Sequence, residues 1–240
     1  MDKKPAAFIF GYNHYALEII TNIQDQYESV RVFNLDEETQ LEDGTLLESF
    51  DLSDNWDIIK KDVDMQNSIA FCVLEDTAEN IFLTISLRAT FKDLRIIAIA
   101  SDKESANKLK MAGANKVIPL VETTSDIITN ILQKPITSRI LHNILYEKSD
   151  LKIAQIKITP QSHINNEQIV TIDWSRYNGI IVLSVMHKDM KSEFIYSAKA
   201  EDHIIQPDDI LVVVGYEDDI AEFEKKIGSK RYVNWSHWSW

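Results

Sequence analysis

In the first 120 or so residues, short apolar runs alternate with helical patterns, and this alternation restricts the fold more than any other feature of the chain. The runs are AAFIFG, SVRVFNL, TLLESFD, SIAFCVL, RIIAIA and KVIPL. SIAFCVL is apolar throughout, as a strand covered on both faces requires. Between the runs, residues 15–27, 55–63, 77–90 and 103–113 carry apolar side chains at helical spacing. Gly113 follows the last of these as a helix-stopping glycine. Six strands with intervening helices predict a Rossmann-like, doubly wound α/β domain over residues 1–121, with a parallel sheet, helices on both faces and right-handed crossovers.

Residues 122–149 follow a different pattern. They form an amphipathic stretch broken at Pro135, which ends or kinks a helix. Thr124 or Ser125 is suited to cap its start. The stretch reads as a helix-turn-helix crossover whose apolar face (Ile127, Ile128, Ile131, Leu132, Ile140, Leu141, Ile144, Leu145) needs a partner. Packing within the chain and a subunit interface are both open readings. From residue 150 to 229 the pattern is short strands (KIAQIKIT, QIVTI, GIIVLSVMHK, SEFIYS, DILVVVGY) and one helix with Ile220, Phe223 and Ile227 on a face. This predicts a small α+β subdomain with a mixed or antiparallel sheet. In the tail, residues 230–240, Trp235, Trp238 and Trp240 alternate with small polar residues. Packing onto the tail's own subdomain, a membrane interface and a neighbour's groove all suit that pattern.

Composition removes several function classes. A net charge of −13 argues against nucleic acid and against anionic lipid, both of which need clustered Lys and Arg. Cys72 is the only cysteine, so no intrachain disulfide forms, and a cytoplasmic location fits. It lies in an apolar run, where a small buried side chain is expected. No segment approaches the length of a membrane span, and MDKKPAAFIFGY lacks the apolar core and cleavage site of a signal peptide. There is no G-x-S-x-G and no H-E-x-x-H, so no catalytic residue is assigned and an enzyme is not expected. There is neither an EF-hand pattern nor a His/Cys cluster with zinc-ligand spacing, so no metal ligand is assigned.

Four stretches in order carry a family resemblance: FIFGYNHYALEI, IAFCVLEDTAENIFLTISLR, LRIIAIASDKESANKLKMAGANKVIPL and IQPDDILVVVGYEDDIAEFEKKI. Together they resemble RCK domains, the regulators of potassium conductance also called KTN or Trk-N/Trk-C modules. In the last stretch Asp208 stands where the family pattern P-G-D has glycine. The resemblance implies a cytoplasmic, ligand-sensing gating module of a potassium channel or transporter, at the inner face of the membrane. It implies assembly as a homodimer or a higher ring, with ligand binding shifting the population of assembly shapes. A nucleotide-responsive protein of the same fold without a transport partner is the alternative; an NAD(P)-dependent oxidoreductase is another.

The resemblance also points to a nucleotide site, an adenine nucleotide (ATP, ADP or AMP) or NAD(H), and the residues there depart from the pattern. A dinucleotide loop uses G-x-G-x-x-G for a tight turn, close phosphate approach and helix packing. This chain reads Gly11-Tyr12-Asn13-His14-Tyr15-Ala16. Gly11 meets the first demand, Ala16 nearly meets the third, and Asn13 fails the second. His14 follows where many members of the family carry a basic residue, and a protonated imidazole there favours an anion. Asn34 stands where the ribose-binding acid is expected, with Asp36 two residues on. Asp51 and Leu52 fall at the base-contacting position. Glu75, Thr77 and Asn80 line the mouth of the fourth strand, where open sheets place ligands. A dinucleotide, a smaller adenine ligand and no nucleotide all remain open readings of these residues.

Overall fold

The computed structural model describes residues 4–24, 26–35, 39–40, 46–53, 56, 59, 63–146, 150–187, 192–195 and 203–232. Residues 233–240, with the three tail tryptophans, and Asp36 lie outside them, as does most of the helix expected over 55–63. The chain divides into two compact units, with the boundary between Thr129 and Asn130.

The first unit is built on a seven-stranded sheet of order β3-β4-β2-β1-β5-β6-β7. Its strands are β1 (Ala6–Phe10), β2 (Ser29–Asn34), β3 (Thr39–Gln40), β4 (Leu46–Ser49), β5 (Ile69–Cys72), β6 (Arg95–Ala100) and β7 (Lys116–Pro119). All neighbours are parallel except the two-residue edge strand β3, which runs antiparallel to β4. The helices are α1 (His14–Ile23), α2 (Thr77–Thr90) and α3 (Lys103–Met111). The six expected strands are present; β3 is the addition.

Strand β1 is buried along its whole length, and its two faces serve different cores. Ala6, Phe8 and Phe10 join Phe33, Phe50 and Trp56 on one face; Ile9 joins Ala16, Val32, Leu47 and Val73 on the other. Period-two alternation therefore splits one apolar run between two layers of packing. Phe10 stacks on Phe33 at 4.9 Å between ring centroids and meets Trp56 edge-on at 5.4 Å. Full burial of a side chain such as Phe10 contributes about 2–3 kcal/mol. Trp56 satisfies its indole by donating to Ser86 Oγ at 2.7 Å. Cys72 is fully buried, and burial pushes its thiol up to about 12, so it acts as a packing residue.

Helix α3 closes as its sequence implies. Gly113 has φ +105, its N–H donates to Lys110 O at 3.1 Å, and Ala114 N–H donates to Leu109 O at 3.1 Å. That pair of bonds is a Schellman motif.

Helix α4 (Leu120–Gln133) follows β7 directly, so Thr124 and Ser125 lie inside it rather than capping it. Pro119 suits an entry into helix, and Glu122 places a carboxylate in the first turn against the positive end of the dipole. The break at Pro135 is where the sequence puts it: α5 (Pro135–Tyr146) begins with that proline as its first residue, where the missing N–H costs nothing. None of α4 is buried, and Ile127, Ile128, Ile131, Leu132, Ile140, Leu141 and Leu145 are all exposed.

The second unit carries a five-stranded antiparallel sheet of order β10-β9-β11-β8-β12. Its strands are β8 (Leu151–Lys157), β9 (Ile180–Met186), β10 (Ser192–Phe194), β11 (Ile210–Tyr216) and β12 (Lys230–Arg231). Helix α6 (Glu217–Ile227) buries Ile220, Phe223 and Ile227 against it. Three acidic residues in its first turn and two lysines in its last complement its dipole. The run QIVTI is not a strand. Ile169–Thr171 forms a 3-10 turn, because Ile169 and Ile172, three residues apart, both face the core. No helix among the described residues is long and apolar enough to cross a membrane.

Candidate functional site

The winding of the first sheet reverses between β1 and β5, which puts the loops following these two strands side by side. In open α/β sheets the crevice at that reversal is the ligand position. Here the two loops are in direct contact. Gly11 has φ +107, and a Cβ on it would lie 2.9 Å from the carbonyl oxygen of Val73. The glycine retained from the dinucleotide pattern is thus required by backbone packing alone.

Asn13 completes the closure. It is the N-cap of α1, with extended backbone at φ −149, and its Oδ1 accepts from Ala16 N–H at 3.2 Å. Its Nδ2 donates to Val73 O at 2.7 Å. One side-chain amide therefore caps the helix and ties its N-terminus to the β5 loop. In a dinucleotide fold those N–H groups and that space serve the diphosphate.

Behind this bridge lies a cavity of about 260 Å³ lined by Asn13, Glu75, Thr77, Asn80 and Ser101, among others. Asn80 is buried and donates through Nδ2 to Cys72 O at 3.2 Å and to Ile99 O at 3.0 Å, pinning α2 to the ends of β5 and β6. Its Oδ1 is a buried acceptor with no partner among the described residues. Asp76, not Thr77, caps α2, its carboxylate accepting from Glu79 N–H at 2.9 Å. Among the described residues, no Lys or Arg lines the cavity.

The residues singled out in the sequence fall into separate places. Asn13, Glu75, Thr77 and Asn80 share the cavity. His14 is exposed as the first residue of α1, and Tyr12 packs against the Ile9 core. Asn34 ends β2 half-buried, its carbonyl accepting from Phe50 N–H at 3.0 Å. Asp51 is exposed just past β4, and its Oδ1 accepts from Ser53 Oγ at 2.6 Å and Ser53 N–H at 2.8 Å. Those bonds, the hydroxyl first, hold its carboxyl below the usual range. Leu52 packs against the aromatic core. Asn34 and Asp51 thus follow strands on one side of β1, and the cavity residues belong to the β5 and β6 side.

In the second unit, Ser162 and His163 tie their loop to the end of α6. Ser162 Oγ donates to Ile227 O at 2.8 Å, and His163 Nδ1 lies 2.9 Å from Lys226 O. The sequence reading missed a group in this unit. His187, His203 and Asp209 place their ligand atoms within 4.8 Å of one another. Their spacing along the chain matches no metal motif; only the pairing of β9 with β11 brings two of them together.

Comparison with known proteins agrees with this architecture. The TrkA-N domain family matches residues 7–120, and the TrkA-C domain family matches residues 153–228. Two curated proteins of Methanocaldococcus jannaschii are similar. A probable potassium channel protein 2 is 24% identical over 164 residues, covering 66% of this chain and 46% of that protein. A potassium channel protein 1 is 22% identical over 177 residues, covering 74% and 50%. The chain spans about half the length of the curated relatives it matches. Among solved structures, the human SLO3 gating ring superposes with a TM-score of 0.63 at 11% identity, covering 91% of this chain and 45% of that one, a likeness of fold. With a TrkA-N domain followed by a TrkA-C domain, each on one of its two units, the chain belongs to the RCK, or KTN, family of regulatory domains.

Proposed function

We propose that this chain is the cytoplasmic ligand-sensing module that gates a potassium channel or transporter, and that it is regulatory rather than catalytic. The observation that carries the reading is the ordered pair of TrkA-N and TrkA-C domains on a chain homologous to two potassium channel proteins. The module acts as a homodimer or within a larger ring. The unburied apolar stripe of α4 and α5 supports this assembly, because a row of exposed Ile and Leu is costly on an isolated subunit.

The nucleotide site is altered in this reading. Asn13 occupies the place of the diphosphate, so NAD(H) does not bind through the loop. The cavity offers acceptors and hydroxyls without a cation, and Asn80 Oδ1 awaits a donor. A ligand seated there presents hydrogen-bond donors, as the amine of adenine does, rather than a phosphate. Calorimetry with AMP, ADP and ATP tests this, with Glu75→Ala weakening the isotherm; silence from all three removes adenine from the account.

The functional test is potassium flux through the membrane protein that works with this module. Flux that loses its ligand response when the module is removed, with ion selectivity unchanged, is expected. Flux indifferent to the module contradicts the reading.

A further inference from the structure

The second unit holds a group of side chains that the gating account does not use. We propose that His187, His203 and Asp209 form a binding site for one divalent transition-metal ion of the Zn²⁺ class.

The site is set by backbone on all sides. Met186 of β9 pairs with Ile210 of β11, so the antiparallel register sets His187, one step beyond β9, opposite Asp209, one step before β11. His203 is fixed separately: its carbonyl accepts from Ile169 N–H at 2.9 Å, and the next residue, Ile204, bridges to Gln168. Asp209 closes a turn begun by Gln206 and Pro207. Its N–H donates to Gln206 O at 3.1 Å, and its Oδ2 accepts from Gln206 N–H at 2.9 Å. Asp208, at φ +78, supplies the left-handed residue of that turn.

The side chains converge on that frame. The His187 and His203 rings lie 4.0 Å apart between centroids, inclined at 64°. His203 Nε2 lies 2.9 Å from Asp209 Oδ2, and all three ligand atoms fall within 4.8 Å of one another. In a tetrahedral site with bonds of about 2.0–2.1 Å, neighbouring ligand atoms stand about 3.3 Å apart. A cation entering between Nε2 and Oδ2 therefore opens that contact by only a few tenths of an ångström and draws His187 inward. The Gln206 N–H bond to Asp209 is the kind of outer contact that orients a ligating carboxylate.

The donor set selects the ion. Two imidazole nitrogens and one carboxylate oxygen suit Zn²⁺ and its first-row neighbours, whereas Ca²⁺ and Mg²⁺ take oxygen ligands. Three protein ligands leave a fourth position for water, and both histidines are partly exposed, which gives the ion a path. Bound metal would join the end of β9 to the segment that runs from His203 into the start of β11.

The test uses the whole chain, stripped of metal and titrated with Co²⁺ and then Zn²⁺. One equivalent of Co²⁺ should bind with the strong visible bands of four-coordination, and Zn²⁺ should displace it. Neither Ca²⁺ nor Mg²⁺ should compete. Because loss of even an outer-shell partner costs 10–100-fold, His187→Gln and His203→Gln should each weaken binding about 100-fold or more. Zn²⁺ should raise the melting temperature of the wild type and not of either variant. Circular dichroism checks that each variant folds; if His203→Gln does not, His187→Gln at its strand end carries the test. Binding undiminished in a folded variant, or no saturable binding up to roughly 0.1 mM Zn²⁺, overturns the proposal.

Discussion

The amide of Asn13 donates to the carbonyl of Val73 at 2.7 Å across 60 residues of sequence. The same side chain caps α1 through its oxygen. One residue therefore does for the first βα turn what a bound phosphate does in a dinucleotide fold: it satisfies the helix N-terminus and holds the two loops of the crevice together. The loop that a dinucleotide fold uses for phosphate is here tied by its own side chain, which acts as a clasp.

The clasp depends on Gly11. Its positive φ and the 2.9 Å approach of any Cβ to the Val73 carbonyl leave no room for a side chain. Gly11→Ala should cost about 2–3 kcal/mol, read as a lowered denaturant midpoint with little change in slope. A wild-type midpoint in that variant would mean that the loops part readily and that the clasp is weak.

The α4–α5 stripe makes a prediction about assembly. Leu132 is 77% exposed and Ile131 51% exposed in the single chain. If the stripe is the proposed subunit interface, the wild type should sediment as a dimer and Leu132→Asp combined with Ile131→Asp as a folded monomer in sedimentation equilibrium. A wild type that is already monomeric at micromolar concentration contradicts the assembly.

A pH dependence follows from Asp102, the N-cap of α3. Hydrogen bonds from Ser105, the backbone N–H first, hold its carboxyl below the ordinary value of 3.8. A lowered native pKa gives stability that is present above 3.8 and lost as the pH falls through the native value. Asp102→Asn keeps the cap but not the titration, so below pH 3.8 its melting temperature should fall less steeply than that of the wild type. Parallel curves would show that this cap does not contribute to acid sensitivity.

Much of the fold was legible because its signals are local. The all-apolar run at Phe8–Phe10, the Pro135 break and the stop at Gly113 each act through a neighbouring turn or strand. QIVTI misled because a three-residue apolar spacing in a short run resembles a strand until tertiary packing decides. Substituted glycines proved readable only in the structure. Asp208, at the family's glycine position, keeps the left-handed backbone at φ +78, a region that Asn166 also adopts at φ +65. These are residue types that tolerate that region. The cavity was half legible: strand ends marked Glu75, Thr77 and Asn80, but nothing local announced that Asn13 would reach Val73. The His187–His203–Asp209 group was not legible, since the register of β9 on β11 and the separate anchoring of His203 beside Gln168 and Ile169 assemble it.

The most direct test of the clasp is calorimetric titration of the wild-type chain with NAD⁺ and NADH up to about 1 mM, a range that detects affinities well above a typical weak complex. The account predicts no saturable heat from either, because in the proposed reading Asn13, bonded to Val73 O and Ala16 N–H, takes the place of the diphosphate. A saturable NAD⁺ isotherm that weakens in Asp51→Ala would contradict it and return the loop to service as a dinucleotide site.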